Sequence, residues 1–142
     1  MSKKATLLRV VPLLLLFALL LTACAPVPVS WEDAIYKKDA TVGDGSVTVT
    51  VKVTAEDKTV TLTLKTDEAT LADALVAEEL VNGKDSQYGL MISHVNGIRA
   101  DYDLDNGYYW QVRVDGAPSD YGASFIEIRE GAVYEFVRTN QW

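Results

Sequence analysis

Three groups of residues in this chain have the types and spacing to carry chemistry. Asp101, Asp103 and Asp105 alternate through DYDLDNG, a spacing at which carboxylates can wrap a hard cation. A calcium loop of the EF-hand kind needs glycine at its sixth position and a bidentate glutamate at its twelfth. Asn106 and Val112 stand there instead, so the segment reads as a solvated acidic loop and no metal is expected. His94 is the sole histidine, and it sits among Met91, Ile92 and Val95 in a strand-like pattern. A metal centre would need a second imidazole or a thiol beside it, and a serine nucleophile at Ser119-Asp120 would need it as base. With no phosphate cradle or nucleophile elbow in the chain, no catalytic residue is assigned and no enzymatic activity is expected.

The third group is aromatic. Tyr108, Tyr109 and Trp110 are consecutive, so in a strand they cannot all point inward. Tyr88 precedes Gly89 and Tyr121 precedes Gly122, at loop positions where rings are often exposed. An aromatic shelf flanked by Asn106, Ser119 and Asp120 suits a flat or ring-shaped ligand, or a protein partner. The expected ligand-binding set is therefore Tyr88, Asn106, Tyr108, Trp110, Ser119, Asp120 and Tyr121.

These residues need a rigid support, and hydrophobic periodicity supplies one. Tyr108, Trp110, Val112 and Val114 alternate with polar neighbours up to a turn at Asp115-Gly116. A second hairpin is expected from Phe125–Ile128 through Glu130-Gly131 into Ala132–Thr139. Upstream, Ser46–Thr54 and Lys58–Lys65 alternate strictly around Ala55-Glu56-Asp57, which predicts a hairpin with one wet face. Asp67–Val81 then turns rich in alanine, leucine and glutamate. Leu71 with Leu75, and Val76 with Leu80, stand four apart, predicting a three-turn helix capped near Thr70 and ended by Asn82-Gly83. Leu90–Val95 is a further strand, turned by Asn96-Gly97. The order is α+β, a β-grasp-like mixed sheet of hairpins packed on a single helix.

The amino terminus sets the compartment. A basic start, Met1–Arg9, leads into the leucine-rich run Val10–Leu21, too short to span a bilayer comfortably. Leu21-Thr22-Ala23-Cys24 follows and resembles the bacterial lipobox, whose cysteine is lipidated and becomes the new amino terminus. Residues 1–23 are thus read as a lipoprotein signal peptide, 24–45 as a tether with a proline-spaced start, and 46–142 as the domain. Trp31 is read as a packing plug. Cys24 is the only cysteine, so no disulfide can form within the mature chain. The chain of 142 residues has 20 acidic and 13 basic residues and a net charge of −7, which disfavours nucleic acid. The expected location is extracytoplasmic, on the bacterial membrane through Cys24.

A family resemblance spans nearly all of the mature chain. Thr70-Leu71-Ala72-Asp73-Ala74-Leu75, Tyr88-Gly89, Val95-Asn96-Gly97-Ile98 and Ala100-Asp101-Tyr102 are similar to the transcobalamin-like C-terminal domain family of bacterial surface lipoproteins. Tyr109-Trp110-x-Val112-x-Val114-Asp115-Gly116, then Ser119, Gly122 and Glu130-Gly131, continue the match. Asp115-Gly116 stands where that family usually has Asn-Gly, and both keep turn chemistry. The resemblance implies a small-molecule binding module, with a corrinoid or cobalamin-like ligand and no required cofactor. In the vitamin carriers a domain of this kind covers one face of cobalamin while a helical domain holds the other. The alternative is a cell-surface protein-interaction or adhesion module without a small-molecule ligand.

Overall fold

The computed structural model describes residues 31–142, so the expected signal peptide, Cys24 and the first part of the tether lie outside the described residues. Among the described residues, nine strands and one α-helix form an α+β fold with two sheets. Strands β1 (Ala40–Val42), β2 (Val47–Ala55), β3 (Lys58–Thr66), β7 (Tyr109–Val114), β8 (Ala117–Pro118) and β9 (Val133–Thr139) build the larger sheet, in the order β1-β3-β2-β9-β7-β8. Strands β4 (Val81–Ser86), β5 (Gly89–Val95) and β6 (Ile98–Arg99) form the smaller sheet, and helix α1 is Leu71–Ala77.

The strict alternation of β2 and β3 does what it predicts. The pair runs antiparallel in unbroken register from Val47↔Thr66 to Ala55↔Lys58. Val49, Val51, Val53, Val60, Leu62 and Leu64 are almost wholly buried, while the threonines between them face outward. Tyr134 and Phe136 of β9 lie beside Val51 and Val53 in the same buried layer. Leu71, Ala74 and Leu75 of α1, with Val81, Val95 and Ile98 of the smaller sheet, complete one contiguous core.

Four expectations need correction. The helix has two turns rather than three. Thr70 caps it as expected, its hydroxyl accepting from the Asp73 amide at 3.2 Å. It ends, however, in a Schellman arrangement, with the Leu80 amide bonding Leu75 O at 2.9 Å and the Glu79 amide bonding Val76 O at 3.0 Å. Glu79 takes the left-handed position there at φ 56, so Asn82 and Gly83 are left to β4, where they pair with His94 and Ile92 across a bulge that leaves Ser93 of β5 as the extra residue.

The second expected hairpin does not form, because both edges of β9 are taken: it runs parallel to β2 and antiparallel to β7. Residues 126–128 instead bond the approach to α1, with Leu71 N to Ile126 O at 2.8 Å and Ile128 N to Ala69 O at 2.9 Å. The segment before Gly43 also belongs to the fold. Strand β1 pairs with β3, and Trp31 packs on the core with its indole N–H donating to Ala55 O at 3.2 Å. Finally, the hairpins divide between two sheets rather than sharing one.

The turn at Asn96-Gly97 anchors that leading segment. Its φ values of 53 and 79 suit a tight hairpin between β5 and β6. Asn96 is fully buried, and its amide side chain bonds both the N–H and the C=O of Tyr36 at 2.8 Å. Every polar group of that contact is thereby satisfied.

Candidate functional site

The seven residues expected to share a binding surface fall into separate environments along β5. Gly89 starts that strand and His94 lies near its end, a separation of roughly 17 Å at the usual rise per residue. Tyr88 caps the Gly89 end. Asn106 and Tyr108 belong to the His94 end, through Arg99, which pairs with His94 across the sheet.

At the His94 end the polar groups hold one another. Arg99 clasps Asp105 through Nε and a terminal nitrogen at 2.9 and 2.8 Å, and the Asp101 amide adds a third bond at 2.8 Å. The Arg99 hydrogen bond lowers the Asp105 carboxyl below the usual range against the opposing effect of burial, with the Asp101 amide assisting. The last carboxylate of the expected acidic run is thus ion-paired within a turn. Arg138 donates to Arg99 O at 2.8 Å and lies over the Tyr108 ring at 4.2 Å from its centroid. That face of Tyr108 is occupied. Asn106 is exposed in a left-handed turn before Gly107. Trp110 is 7 % exposed and belongs to the core, so it leaves the expected surface set; its indole N–H is buried without a partner among the described residues. Tyr109, not among the expected site residues, stacks on Trp142 at 4.6 Å.

The Gly89 end is different. Tyr88 and Tyr121 are exposed, at 70 % and 67 %, and so is Phe125 at 61 %. Ser86 secures the hairpin tip, its hydroxyl donating to Gly89 O at 2.8 Å and accepting from the Tyr88 amide at 3.1 Å. The tip is latched to a 3-10 turn, Ala123–Phe125, by a bond from Leu90 N to Ser124 Oγ at 3.0 Å. That approach requires glycine at 89: φ is +86, and an added Cβ would stand 2.6 Å from Ser124 Cβ. Ser119 is engaged in its own turn, bonding Tyr121 N and O at 3.1 and 3.0 Å, and Asp120 is exposed beside it.

Between α1 and the β4–β5 hairpin, reaching that latch, runs an open groove of ≈ 410 Å³. Ala72, Val76, Val81 and Leu90 supply its apolar surface, and Asp73 and Asp85 supply carboxylates. Gly89 and Ser124 line it too, so the aromatic tip and the groove adjoin. The sequence reading missed this groove. Its one visible sign is Val76, placed four residues before Leu80 as a core residue but 51 % exposed in the fold. His94 lines a smaller hollow of ≈ 200 Å³ with Leu80 and Glu79, and its Nδ1 meets Ser93 Oγ at 2.9 Å. Among the described residues no three His, Cys, Asp or Glu side chains converge as a metal set.

Residues 68–136 match the family model described as "Domain of unknown function (DUF4430)". That span takes in α1, the smaller sheet, β7, β8 and the first half of β9, and leaves out the β2–β3 hairpin. Among solved structures, a protein from Ruminococcus gnavus ATCC 29149, whose description proposes metal binding, aligns with a TM-score of 0.63 at 23 % identity. The match covers 68 % of this chain and all of that one. Haptocorrin in complex with Cbi aligns with a TM-score of 0.54 at 16 % identity. The fold is transcobalamin-like. The transcobalamin-like part spans 68 % of this chain but corresponds to only 25 % of haptocorrin. No curated protein matches the chain by sequence.

Proposed function

We propose that this protein is a lipid-anchored, extracytoplasmic module that binds a small molecule and has no catalytic role. The observation that carries the reading is the Gly89 end of the domain. Three exposed rings, Tyr88, Tyr121 and Phe125, lie on loops beside an open groove. Loops fixed to a rigid sheet are where recognition groups usually sit. The fold of hairpins on one helix, read as β-grasp-like, is shared with haptocorrin, whose structure is of a complex with Cbi. A corrinoid is accordingly the first ligand to test. Rings that stack on one face of a ligand leave its other face in water, so the expected Kd is roughly micromolar.

Titration calorimetry of the full chain with cobalamin and cobinamide tests this reading, beside a Tyr88→Ala, Tyr121→Ala double variant. Saturable binding that the double variant weakens at least tenfold supports the aromatic surface. Binding that survives the double change puts the site elsewhere, and no binding by either corrinoid ends the vitamin reading. The anchor is tested separately: Cys24→Ser should move the protein out of the membrane fraction, and retention there after a high-salt wash refutes lipidation.

Exposure of Tyr102, Leu104 and Trp142 at 56, 68 and 90 % favours a second reading, a protein-contact surface at the other end of β5. Crosslinking in intact cells from that surface, with no small molecule bound, would favour it.

A further inference from the structure

The groove between α1 and β4 joins an apolar lining to carboxylates that the fold does not itself engage. Asp67, Asp105 and Asp115 are engaged in structure: Asp67 accepts from Ser46 N, Asp105 holds Arg99, and Asp115 bonds Val133 N and Arg129. In the groove, the Asn82 side-chain oxygen accepts from Gly83 N and Ser124 Oγ accepts from Leu90 N. Asp73 and Asp85 have side-chain carboxylates with no hydrogen bond or ion pair among the described residues. No lysine, arginine or histidine lines the groove with them. The uncommitted polar charge in the groove is therefore negative, set around a floor of Val76, Val81 and Leu90.

We propose that this groove binds an organic cation with an apolar body, the ammonium end toward Asp73 and Asp85 and the body along the valine and leucine floor. The inference rests on the small-molecule reading and narrows it to a chemical class. A volume of ≈ 410 Å³ lies within the range of small-ligand pockets, about 300–1,000 Å³. Anions meet two uncompensated carboxylates there, and neutral ligands gain only the floor. A bare metal ion finds no third ligand, since no such set of side chains converges among the described residues. The net charge of −7 adds a long-range field that concentrates cations near the surface.

The test uses three probes with one body: 4-phenylbutylamine, 4-phenylbutanol and 4-phenylbutyrate, titrated into the full chain in nanodiscs of neutral lipid. The amine should bind about tenfold more tightly than the alcohol, and the carboxylate more weakly than either. Raising salt from about 50 to about 500 mM should shrink the amine's advantage, since exposed charges are screened. An Asp73→Asn, Asp85→Asn double variant should bring the amine to within about threefold of the alcohol, leaving the alcohol's affinity and the melting temperature unchanged. Equal binding of amine and alcohol, a preference that survives the double variant, or no binding by any probe overturns the proposal. Corrinoid binding that depends on Tyr88 and Tyr121 but ignores both aspartate changes leaves the small-molecule reading standing and overturns this one alone.

Discussion

Removing one oxygen, in Tyr134→Phe, should loosen the wall that holds α1. Tyr134 is completely buried, and its hydroxyl accepts from Arg129 N at 3.0 Å and donates to Glu127 O at 2.8 Å. The same short segment carries Ile126 O and Ile128 N, which bond Leu71 N and Ala69 O at the entry to the helix. Phenylalanine keeps the ring and its packing, so no cavity term enters. Two hydrogen bonds are lost, each contributing about 1 kcal/mol net. Because Arg129 N and Glu127 O are only partly buried, water can reach them and the unsatisfied-group penalty stays near its lower end. The expected cost is about 2 kcal/mol, or a fall in Tm of roughly 8 °C for a domain of this size. Urea titration followed by tryptophan fluorescence measures it, with an unchanged m value showing that the native state keeps its compactness. Hydrogen exchange should quicken at the Leu71 and Ile128 amides more than in β2 and β3. A cost below about 0.5 kcal/mol, the scale of an inert surface change, would refute the role given to this hydroxyl.

Three further outcomes follow from named contacts. Gly89→Ala should cost about 1–3 kcal/mol in urea titration, since the residue combines positive φ with an added Cβ pressed against Ser124; an unchanged midpoint would show that the latch yields without strain. Glu79→Gly should raise stability by about 0.5–1 kcal/mol, because glycine adopts the left-handed helix-end position that glutamate holds under strain; a loss would mean that the Glu79 side chain matters more than its backbone. Acid should destabilise the fold through Asp67, Asp105 and Asp115, whose carboxyls are all lowered, by hydrogen bonds from Ser46, Arg99 and the Val133 amide respectively. A lowered folded value means that this stability is fully present above the unfolded aspartate value near 3.9 and is lost as pH falls through the folded values. Tm should be level above about pH 5 and fall below about pH 4, less steeply in Asp115→Asn, and an equally steep fall in that variant would clear Asp115 of the role.

Much of the fold was legible where one residue type implies one backbone state. The valines of β2 and leucines of β3 can bury one face only in the observed register. Asp115-Gly116 and Asn96-Gly97 turn as their φ values of 49 and 89, and 53 and 79, require. Legibility failed where tertiary contacts chose between states that the sequence permits. Glutamate is not a stop signal, yet Glu79 ends α1 because Leu80 gains full burial on turning inward. Residues 126–128 have a strand pattern and are extended, but β9 already has neighbours on both edges, so they bond the approach to α1 instead.

The candidate site was half legible for a related reason. Tyr88 and Tyr121 are exposed as expected. Trp110 shares the apolar alternation of Val112 and Val114, and its place beside Arg138, in register with the buried side of β9, follows that alternation inward rather than the exposed place it was given in the binding set. The groove is harder still, because its walls come from α1, β4, the start of β5 and the 3-10 turn, and no local period brings those together. Its carboxylates carry the same difficulty. In an acidic chain every aspartate looks equally surplus until the structure shows that Asp67, Asp105 and Asp115 have partners. What sets Asp73 and Asp85 apart is therefore not their charge but their place on an apolar groove that no lysine, arginine or histidine lines. An introduced donor should abolish cation preference while leaving the apolar floor intact: Asn82→Lys, on the β4 wall, should do so by placing an ammonium in the groove. Retention of the amine's advantage over the alcohol in that variant, at low salt and with unchanged Tm, would show that the carboxylates do not set the specificity.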